Sequence, residues 1–427
     1  MVYIMGRMPF LPYTLRGRLA LIAVLAALWI VATTVYIRRY PYSFRLQQEG
    51  LQESPDSDVP TSPPTLKNSS SPNSPSRVLI VTSWFPVLNP RFTDEEYNQW
   101  LPNFFGSNRN DIYLYTTPEF EERFRSLRGG HLTLTINTHF ASPFDIPPLK
   151  GKEDAYRRNM KKDRAKSKKS IDLYANRNAK PFLLYNAVSR LEHLGKKYDF
   201  AFWSDAGSFR EQHVYTEWPS LARLNEVWEA GYKLSDISKD NLIFVPASHG
   251  PYTSMIFWTE AMGPIDNDIS IGSFFGGTPH ALGWFTRVYY VYHDHYLSFD
   301  VFIGKSQALI NSLLFLYPNR FITVWANEPD SSGRSPESST IGQCGKNRRF
   351  YYEFWLASST ERKEMQQKWV KEASARDWWG WWKTRDATPC KTTRVLPIET
   401  MLKSKLGVDW VPPAKAVEIP DTTGWGL

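Results

Sequence analysis

The sequence of 427 residues predicts an α/β domain with a mainly parallel sheet flanked by helices. Hydrophobic residues make up 42% and aromatic residues 15%, which is enough apolar surface for a sizeable core. Strand-like apolar runs alternate with helical patterns, and that alternation is typical of parallel sheets. The strands are predicted at 77–86, 111–117, 131–138, 198–205, 241–247, 270–277 and 321–326.

The first of these runs, at 77–86, contains four consecutive apolar residues from Val78 to Val81. Such a run is typical of a strand that is covered on both faces. The remaining strands are rich in β-branched or aromatic side chains, which favour extended structure. Helices are predicted between the strands, at 94–105, 153–195, 280–297 and 305–318.

The chain before this domain predicts a membrane anchor. Residues 19–37 contain no charged side chain, and as a helix they would span about 28 Å, close to the thickness of a bilayer core. A cleaved signal peptide is the alternative, but its apolar region is normally shorter and ends in small residues. The predicted organisation is a tail at 1–18, an anchor at 19–37, a stalk at 38–76, a domain at 77–406 and an extended tail at 407–427.

The stalk is predicted to be disordered, because residues 47–76 hold six prolines and eight serines and almost no large apolar side chain. It contains an N-glycosylation acceptor sequence at Asn68-Ser69-Ser70. This organisation is typical of single-pass type II enzymes of the Golgi or ER membrane with a lumenal domain, and also of anchored receptors and lectins. An oxidising lumen would allow Cys344 and Cys390 to pair, although they could also be two unrelated buried thiols.

The charge distribution argues against nucleic acid as a partner. Lysine and arginine number 51 and aspartate and glutamate 43, a net charge of +8. The segment 157–169 has eight basic residues and one acid, and thus carries +7 of that charge. A solvated helix or a mobile loop is the expected structure of this segment. Two cysteines exclude a four-cysteine metal site, and the sequence has no glycine-rich dinucleotide fingerprint, P-loop, G-x-S-x-G or H-E-x-x-H motif.

Three segments contain candidate site residues. Trp203, Asp205 and Gly207 end the strand predicted at 198–205, and ligands of open α/β sheets bind at the carboxyl ends of strands. One carboxylate there could hold Mn²⁺ or Mg²⁺ together with a diphosphate, or it could simply cap the next turn. Gly276 and Gly277 would allow a turn to approach a ligand closely, or they form an ordinary turn. Gln307 and Asn311 share one face of a predicted helix.

These segments together resemble the HtrL/YibB group of sugar-transferase-like proteins, within the GT-A nucleotide-sugar transferases. The resemblance covers residues 77–325 in four ordered blocks. The blocks are VTSWFP with DEEYNQWLPNFF, then NRNAKPFLLYNAV, then FAFWSDAGSFR, and finally SFFGGTPHAL with GKSQALIN. The chain departs from the usual GT-A pattern, because Ser204-Asp205-Ala206 has one carboxylate where an Asp-x-Asp pair is common.

The resemblance implies a GT-A-like fold and the transfer of a sugar from a nucleotide-diphosphate donor to a glycan or glycoconjugate. Lys180, Trp203, Asp205 and Gly207 would bind the nucleotide-sugar, with Asp205 as ligand of Mn²⁺ or Mg²⁺. The sugar or acceptor pocket would be lined by Phe275, Gly276, Gly277 and Gln307. Three aspartates are candidates for the catalytic base, and the sequence does not choose among them: Asp266, Asp268 and Asp294.

Two further clusters support alternative functions. His293 and His295 could bind a metal in a hydrolase, but their tyrosine-rich surroundings favour a core helix. Trp378, Trp379, Trp381 and Trp382 could stack on sugar rings, or they pack against the domain. The alternative function is that of a membrane-tethered glycan-binding or scaffold protein without catalytic activity, and it stays open because Asp205 lacks a partner acid.

Overall fold

A computed structural model gives the fold of the domain. The chain divides into two units, Met1–Ser70 and Ser71–Leu427. The structure describes residues 77–87, 92–163, 169–329, 344–345, 347–376 and 389–422, all of which belong to the second unit. The predicted anchor, stalk, glycosylation sequence and tryptophan cluster at 378–382 lie outside the described residues. Within these ranges no helix is long and apolar enough to cross a membrane.

The centre of the domain is a mixed sheet of eight strands in the described part of the chain. Its spatial order is β3-β2-β1-β4-β6-β5-β7-β8. The first four strands in this order, β3, β2, β1 and β4, are parallel to one another. Strand β6 is antiparallel to both of its neighbours, and β8 is antiparallel to β7. The strands are β1 Val78–Trp84, β2 Asp111–Thr116, β3 Leu134–Asn137, β4 Phe200–Ser204, β5 Ile243–Phe244, β6 Phe274–Gly277, β7 Phe321–Val324 and β8 Val395–Pro397.

Helices cover both faces of the sheet. Among the described residues these are α1 Asp94–Phe105, α2 Glu121–Arg128, α3 Glu153–Met160, α4 Ile171–His193, α5 Leu221–Ser235, α6 Pro279–Ser298, α7 Ser306–Leu316, α8 Tyr351–Trp355, α9 Ser359–Arg376 and α10 Ile398–Leu406. The first of them begins with a capping box, in which Thr93 and Glu96 each accept a hydrogen bond from the other's backbone N–H.

Alternate residues of β1 enter two separate cores. Leu79 and Val81 pack with α3, α4, α6, α7 and α10 on one face. Val78 and Ile80 pack with α1, α2, α5, α8 and α9 on the other. All four side chains are almost fully buried. The continuous apolar run at the start of the domain therefore predicts correctly a strand covered on both faces.

The sheet departs from the sequence-based expectation in three ways. Two strands, β6 and β8, are antiparallel to the other six described strands, which share one direction as the predicted mainly parallel sheet requires. The last strand, β8, is absent from the predicted strands, since its three residues are too few to form a pattern. The segment predicted as one helix at 153–195 forms two helices. The first, α3, ends at Met160, and the second, α4, begins at Ile171.

The two cysteines form a disulfide between Cys344 and Cys390, so the pairing that the sequence left open is present. This bond joins the short segment before α8 to the chain before β8. Both cysteines are buried. The disulfide fixes the described segment that leads to Arg349 and Phe350.

Candidate functional site

The candidate site lies at the edge of the sheet where the parallel strands β1, β2 and β4 end. Asp205 follows the last residue of β4 directly, and its backbone N–H donates to the carbonyl of Ser273 at 2.9 Å. Because β6 is antiparallel to β4, the segment that precedes it enters at the same edge. We call residues 264–273 the entry loop. It brings its backbone carbonyls close to the backbone of Asp205.

Lys180 and Asp205 form the centre of this site. Lys180 Nζ lies 2.7 Å from Asp205 Oδ1 and donates to the carbonyl of Gly272 at 3.0 Å. Trp203 Nε1 donates to the same carboxylate oxygen at 2.6 Å, and Lys180 Nζ lies 5.7 Å from the centroid of the Trp203 ring. The fold therefore brings together three of the four residues predicted to bind the nucleotide-sugar.

The Lys180 side chain is only 10% exposed, whereas that of Asp205 is 39% exposed. Burial lowers the pKa of the Lys180 ammonium, and the charge of Asp205 opposes that effect. Arg177 and Arg349 lie close enough to lower the same pKa further. Two further cationic groups thus lie near the Lys180–Asp205 pair, and such a cluster of positive charge is suited to an anion with more than one negative charge.

The fourth predicted residue, Gly207, lies in the turn that follows Asp205. A Cβ atom at this position would lie 3.2 Å from the Tyr97 ring, so the turn packs closely against α1. Arg210 donates to the carbonyl of Gly207 at 3.3 Å. Its guanidinium lies 4.4 Å from the centroid of Phe92 and 4.5 Å from that of Trp100. These contacts hold the turn that follows Asp205 against α1 and the residues just before that helix.

The entry loop is fixed by the first turns of α7. Asn311 Oδ1 accepts hydrogen bonds from the N–H and the hydroxyl of Ser270, and Asn311 Nδ2 donates to the carbonyls of Ile265 and Asn267. The side-chain amide of Gln307 donates to the carbonyl of Ser270. The predicted helix face of Gln307 and Asn311 therefore holds the loop that contacts Lys180.

The predicted sugar pocket at Phe275, Gly276 and Gly277 is not formed. The two glycines lie inside β6 and not in a turn, and Phe275 is fully buried in the core. A Cβ atom at Gly276 would lie 2.3 Å from the carbonyl oxygen of Ala201. Glycine is required here because β6 is inserted between β4 and β5, and not because a ligand approaches.

The three candidate bases have different surroundings. Asp266 and Asp268 lie on the entry loop, where Asp266 pairs with Lys305 at 2.6 Å and Asp268 is exposed. Asp294 is on α6. Its carboxylate forms an ion pair with Lys152 and lies 2.7 Å from His293 Nδ1. Burial raises the pKa of Asp294, but His293 and Lys152 outweigh it, so that its pKa is below the usual value.

The described residues contain no group of three His, Cys, Asp or Glu side chains that could hold a metal ion. His293 is fully buried and lies 2.7 Å from the Tyr156 hydroxyl, while the His295 ring packs on Tyr296 and Phe299. Burial lowers the pKa of His293. The structure thus gives His293 the core-helix environment that its sequence context favours, whereas His295 is half-buried on the same helix.

A separate cavity of about 790 Å³ lies at the opposite edge of the sheet, where the parallel strands begin. It is lined by Arg77, Phe200 and Thr278, among others, and includes the ion pairs Arg77–Asp199 and Lys239–Glu229. None of the residues predicted to bind donor or acceptor lines this cavity. The candidate functional site is therefore the edge with Asp205.

Sequence reasoning missed two cations of the site, Arg177 and Arg349. Arg177 lies inside the block NRNAKPFLLYNAV, and its position one helical turn before Lys180 could have identified it. Arg349 follows a polar segment, and only the disulfide between Cys344 and Cys390 shows that this segment is tied to the domain. No local pattern indicates that position.

No protein-family model matches the sequence, and no curated protein matches it either. Solved structures similar to this chain include mouse xyloside xylosyltransferase 1 in its apo form, with a TM-score of 0.33 and 9% identity over 58% of this chain and 84% of that chain. They also include core-mannan synthase A from Aspergillus fumigatus in its Mn/GDP form, with a TM-score of 0.37 and 12% identity over 64% of this chain and 79% of that chain. Likenesses this distant do not assign an activity.

Proposed function

We propose that this protein is a glycosyltransferase that moves a sugar from a nucleotide-diphosphate donor to a glycan or glycoconjugate. The observation that carries the proposal is the buried Lys180 ammonium, held by Asp205 at the carboxyl edge of the sheet with Arg177 and Arg349 nearby. Asp205 and Gly272 accept hydrogen bonds from an ammonium that has three N–H donors. The third N–H suits a phosphate oxygen of the donor.

The cations have a definite chemical task in such a reaction. Negative charge builds up on the diphosphate as the bond to the sugar breaks, and fixed cations in a partly buried site stabilise that charge. Lys180 is positioned in advance by Asp205 and Gly272, so it loses little side-chain entropy when the donor binds. Trp203 keeps Asp205 oriented through its indole N–H.

The proposed metal is Mn²⁺ or Mg²⁺, bound jointly by the protein and the donor. Asp205 is a single carboxylate, and one of its oxygens already accepts from Lys180 and Trp203. Such a site is too poor in ligands to hold the ion alone, whereas diphosphate oxygens would complete the coordination. The ion would neutralise the leaving diphosphate, as the protein cations do.

For the acceptor, we propose that a carboxylate of the entry loop serves as base if the transfer inverts the anomeric centre. Asp266 and Asp268 belong to the loop whose Gly272 carbonyl contacts Lys180. Asp294 instead lies on α6, where its carboxylate contacts His293 of the same helix and Lys152. Asp268 is exposed at the entry loop, which is where an acceptor hydroxyl would have to approach.

We also propose a single-pass type II location in the Golgi or ER membrane, with residues 19–37 as anchor and the domain in the lumen. The disulfide between Cys344 and Cys390 supports an oxidising compartment, because structural disulfides are rare in the cytosol. Fluorescence of a tagged chain, combined with protease protection of the domain in intact microsomes, tests this location. A domain digested without detergent would contradict it.

Thermal unfolding of the fragment 71–427 tests the activity proposal. The fragment is heated with a panel of nucleoside diphosphates and nucleotide-sugars, with and without Mn²⁺. A ligand at one hundred times its dissociation constant adds about 2.7 kcal/mol of stability. We expect one nucleotide to stabilise the fragment and Asp205→Asn to abolish that effect. The exposed Asp409 provides the matched control, Asp409→Asn, which should keep the response.

The assay also separates the proposal from the second function, a glycan-binding or scaffold protein. That function is favoured by the single carboxylate, which has no second acid beside it in the sequence Ser204-Asp205-Ala206. A folded fragment that responds to no nucleotide, but binds glycans on an array, would replace the transferase proposal. A nucleotide response that is equal in Asp205→Asn and wild type would show that the donor binds elsewhere.

A further inference from the structure

Five large apolar side chains are exposed on one side of the domain, on the chain after β5 and at the end of α6. Their exposed fractions are 69% for Tyr252, 44% for Ile256, 76% for Phe257, 65% for Met262 and 69% for Phe299. We call these residues the apolar patch. Single exposed apolar residues are common, but a group of them rimmed by charge marks an interaction surface.

Contacts within the domain connect the segments that carry the patch. Trp258, which follows Phe257, donates from its indole N–H to the carbonyl of Gly263 at 3.0 Å. Gly263, which follows Met262, packs against Val301, since a Cβ atom there would lie 2.8 Å from Val301 Cγ1. Val301 lies two residues after Phe299. The two 3₁₀ turns Thr253–Phe257 and Glu260–Met262 are therefore fixed against the end of α6.

The described start of the basic segment, residues 157–163, is attached to the same place. Lys162 Nζ lies 2.6 Å from Asp300 Oδ2, next to Phe299 in the chain. Asn159 donates to the carbonyl of Val301 at 2.7 Å and accepts from the N–H of Ile303 at 2.8 Å. Arg158 lies close enough to help lower the pKa of Asp300, although the hydrogen bond from Lys162 has the larger effect. Arg157 and Arg158 are exposed beside the patch.

We propose that this surface docks the domain onto a phospholipid bilayer. The apolar patch would insert between the lipid head groups, and Arg157 and Arg158 would contact lipid phosphates. Aromatic and aliphatic side chains flanked by basic residues are the chemistry of interfacial membrane binding. The aliphatic members Ile256 and Met262 argue against nucleic acid, which binds basic surfaces through phosphates and aromatic stacking.

Bilayer docking does not depend on the sugar-transfer reaction. It explains two features that the candidate site leaves unused, the basic segment and the exposed aromatic residues after β5. The patch also continues along the chain into the entry loop, whose Gly272 carbonyl contacts Lys180. A docked domain would therefore hold the entry loop near the membrane surface.

Vesicle flotation of the fragment 71–427 tests the proposal. The described part of this fragment has its own two cores, so it is suitable for study without residues 1–70. The vesicles contain phosphatidylcholine alone, or phosphatidylcholine with one fifth phosphatidylserine. We expect the fragment to float with both, and more completely with the anionic vesicles.

Two double variants of the proposed surface, each with a matched control double variant, identify it. Phe257→Ser with Phe299→Ser should reduce binding to both vesicle types by at least tenfold. The control, Leu194→Ser with Val408→Ser, removes two apolar side chains that are 77% and 79% exposed elsewhere and should bind like wild type. Arg157→Glu with Arg158→Glu should remove only the preference for anionic vesicles, while Lys196→Glu with Lys197→Glu should keep it. Circular dichroism melting confirms that each variant is folded.

Four results would overturn the proposal. The fragment could fail to float with either vesicle, or the control pair could lose as much binding as the patch variant. The fragment could instead form a dimer in sedimentation that only the patch variant dissociates, with no vesicle binding, which would make the patch an interface between two copies. Binding of RNA that is lost in Arg157→Glu with Arg158→Glu, again without vesicle binding, would assign the surface to nucleic acid.

Discussion

Lys180 Nζ lies 2.7 Å from Asp205 Oδ1, and this ion pair joins the long helix α4 to the end of the central strand β4. The lysine is buried, while its carboxylate partner is partly exposed. Burying an ammonium costs free energy that one partner only partly offsets. An ion pair of this kind at the ligand-binding edge of the sheet is therefore better explained by binding than by stability.

The first prediction concerns Lys180→Met, which keeps the length of the side chain and removes its charge. Stability without ligand should change by less than about 1 kcal/mol, because Asp205 can be hydrated and a buried ammonium is replaced by an apolar chain. Donor affinity should fall about 10- to 100-fold, the value of one charge-assisted hydrogen bond. Thermal unfolding and calorimetric titration measure the two effects. Lys233→Met, on the exposed face of α5, is the control and should bind the donor like wild type. Large destabilisation by Lys180→Met would instead indicate that Lys180 has a structural role.

The second prediction concerns metal binding. Mn²⁺ alone should not stabilise the fragment 71–427, because the described residues have no three-ligand cluster and Asp205 is paired with Lys180. Mn²⁺ together with a nucleoside diphosphate should stabilise it more than the nucleotide alone, and Asp205→Asn should remove the difference. Calorimetry with Mn²⁺, with the nucleotide and with both gives the result. Tight binding of Mn²⁺ alone would contradict the shared-cation proposal.

Much of this site could be predicted from the sequence, since Lys180 lies in one patterned segment and Trp203 and Asp205 in another, and the two segments meet in the structure. The direction of β6 could not, because a short apolar strand looks the same whether it is parallel or antiparallel. Two consecutive glycines after an apolar run also indicate a turn, which is why the sequence predicts a turn near a ligand at Gly276 and Gly277 where the structure has β6. Arg349 could not be predicted either, because its position depends on a disulfide between residues 46 apart.

The third prediction follows from this correction. Gly276→Ala should destabilise the domain by about 3 kcal/mol. The new methyl group would lie 2.3 Å from the carbonyl oxygen of Ala201, and relieving this clash would require β6 to move away from β4 and break hydrogen bonds between them. Gly130→Ala is the control, since no atom lies within 4 Å of a Cβ at that position. Chemical denaturation measures both. Equal stability of the two variants would contradict the packing role of Gly276.

The fourth prediction concerns acid sensitivity. His213 Nδ1 accepts from the N–H of Tyr215 and Nε2 donates to the carbonyl of Asn103, so the ring is held neutral. Burial lowers the pKa of His213 from 6.5 to about 4; Lys368 also lowers it, while the carbonyl of Asn103 and the charge of Glu361 oppose this.

The unfolded chain therefore takes up a proton below pH 6.5 that the folded chain does not take up until about pH 4. Stability should fall as the pH drops through this range, by at most about 3 kcal/mol from His213. His213→Gln should reduce that slope in urea unfolding curves measured between pH 4 and 7. The exposed His280 provides the control, His280→Gln, and an unchanged slope in His213→Gln would contradict the prediction.

The fifth prediction links the disulfide to the site. Cys344 and Cys390 close a loop with a sequence separation of 46 residues, so replacing both by alanine should cost about 2–4 kcal/mol of stability. Removing the disulfide should also weaken donor binding. The bond fixes the segment that holds Arg349 near Lys180 and Phe350 against Arg210. We expect the affinity for the nucleoside diphosphate to fall in the double variant even at temperatures where it is fully folded. Arg349→Gln, with the disulfide intact, should reproduce the loss of affinity without the loss of stability. If Arg349→Gln binds the nucleotide like wild type, the disulfide stabilises the fold without serving the site.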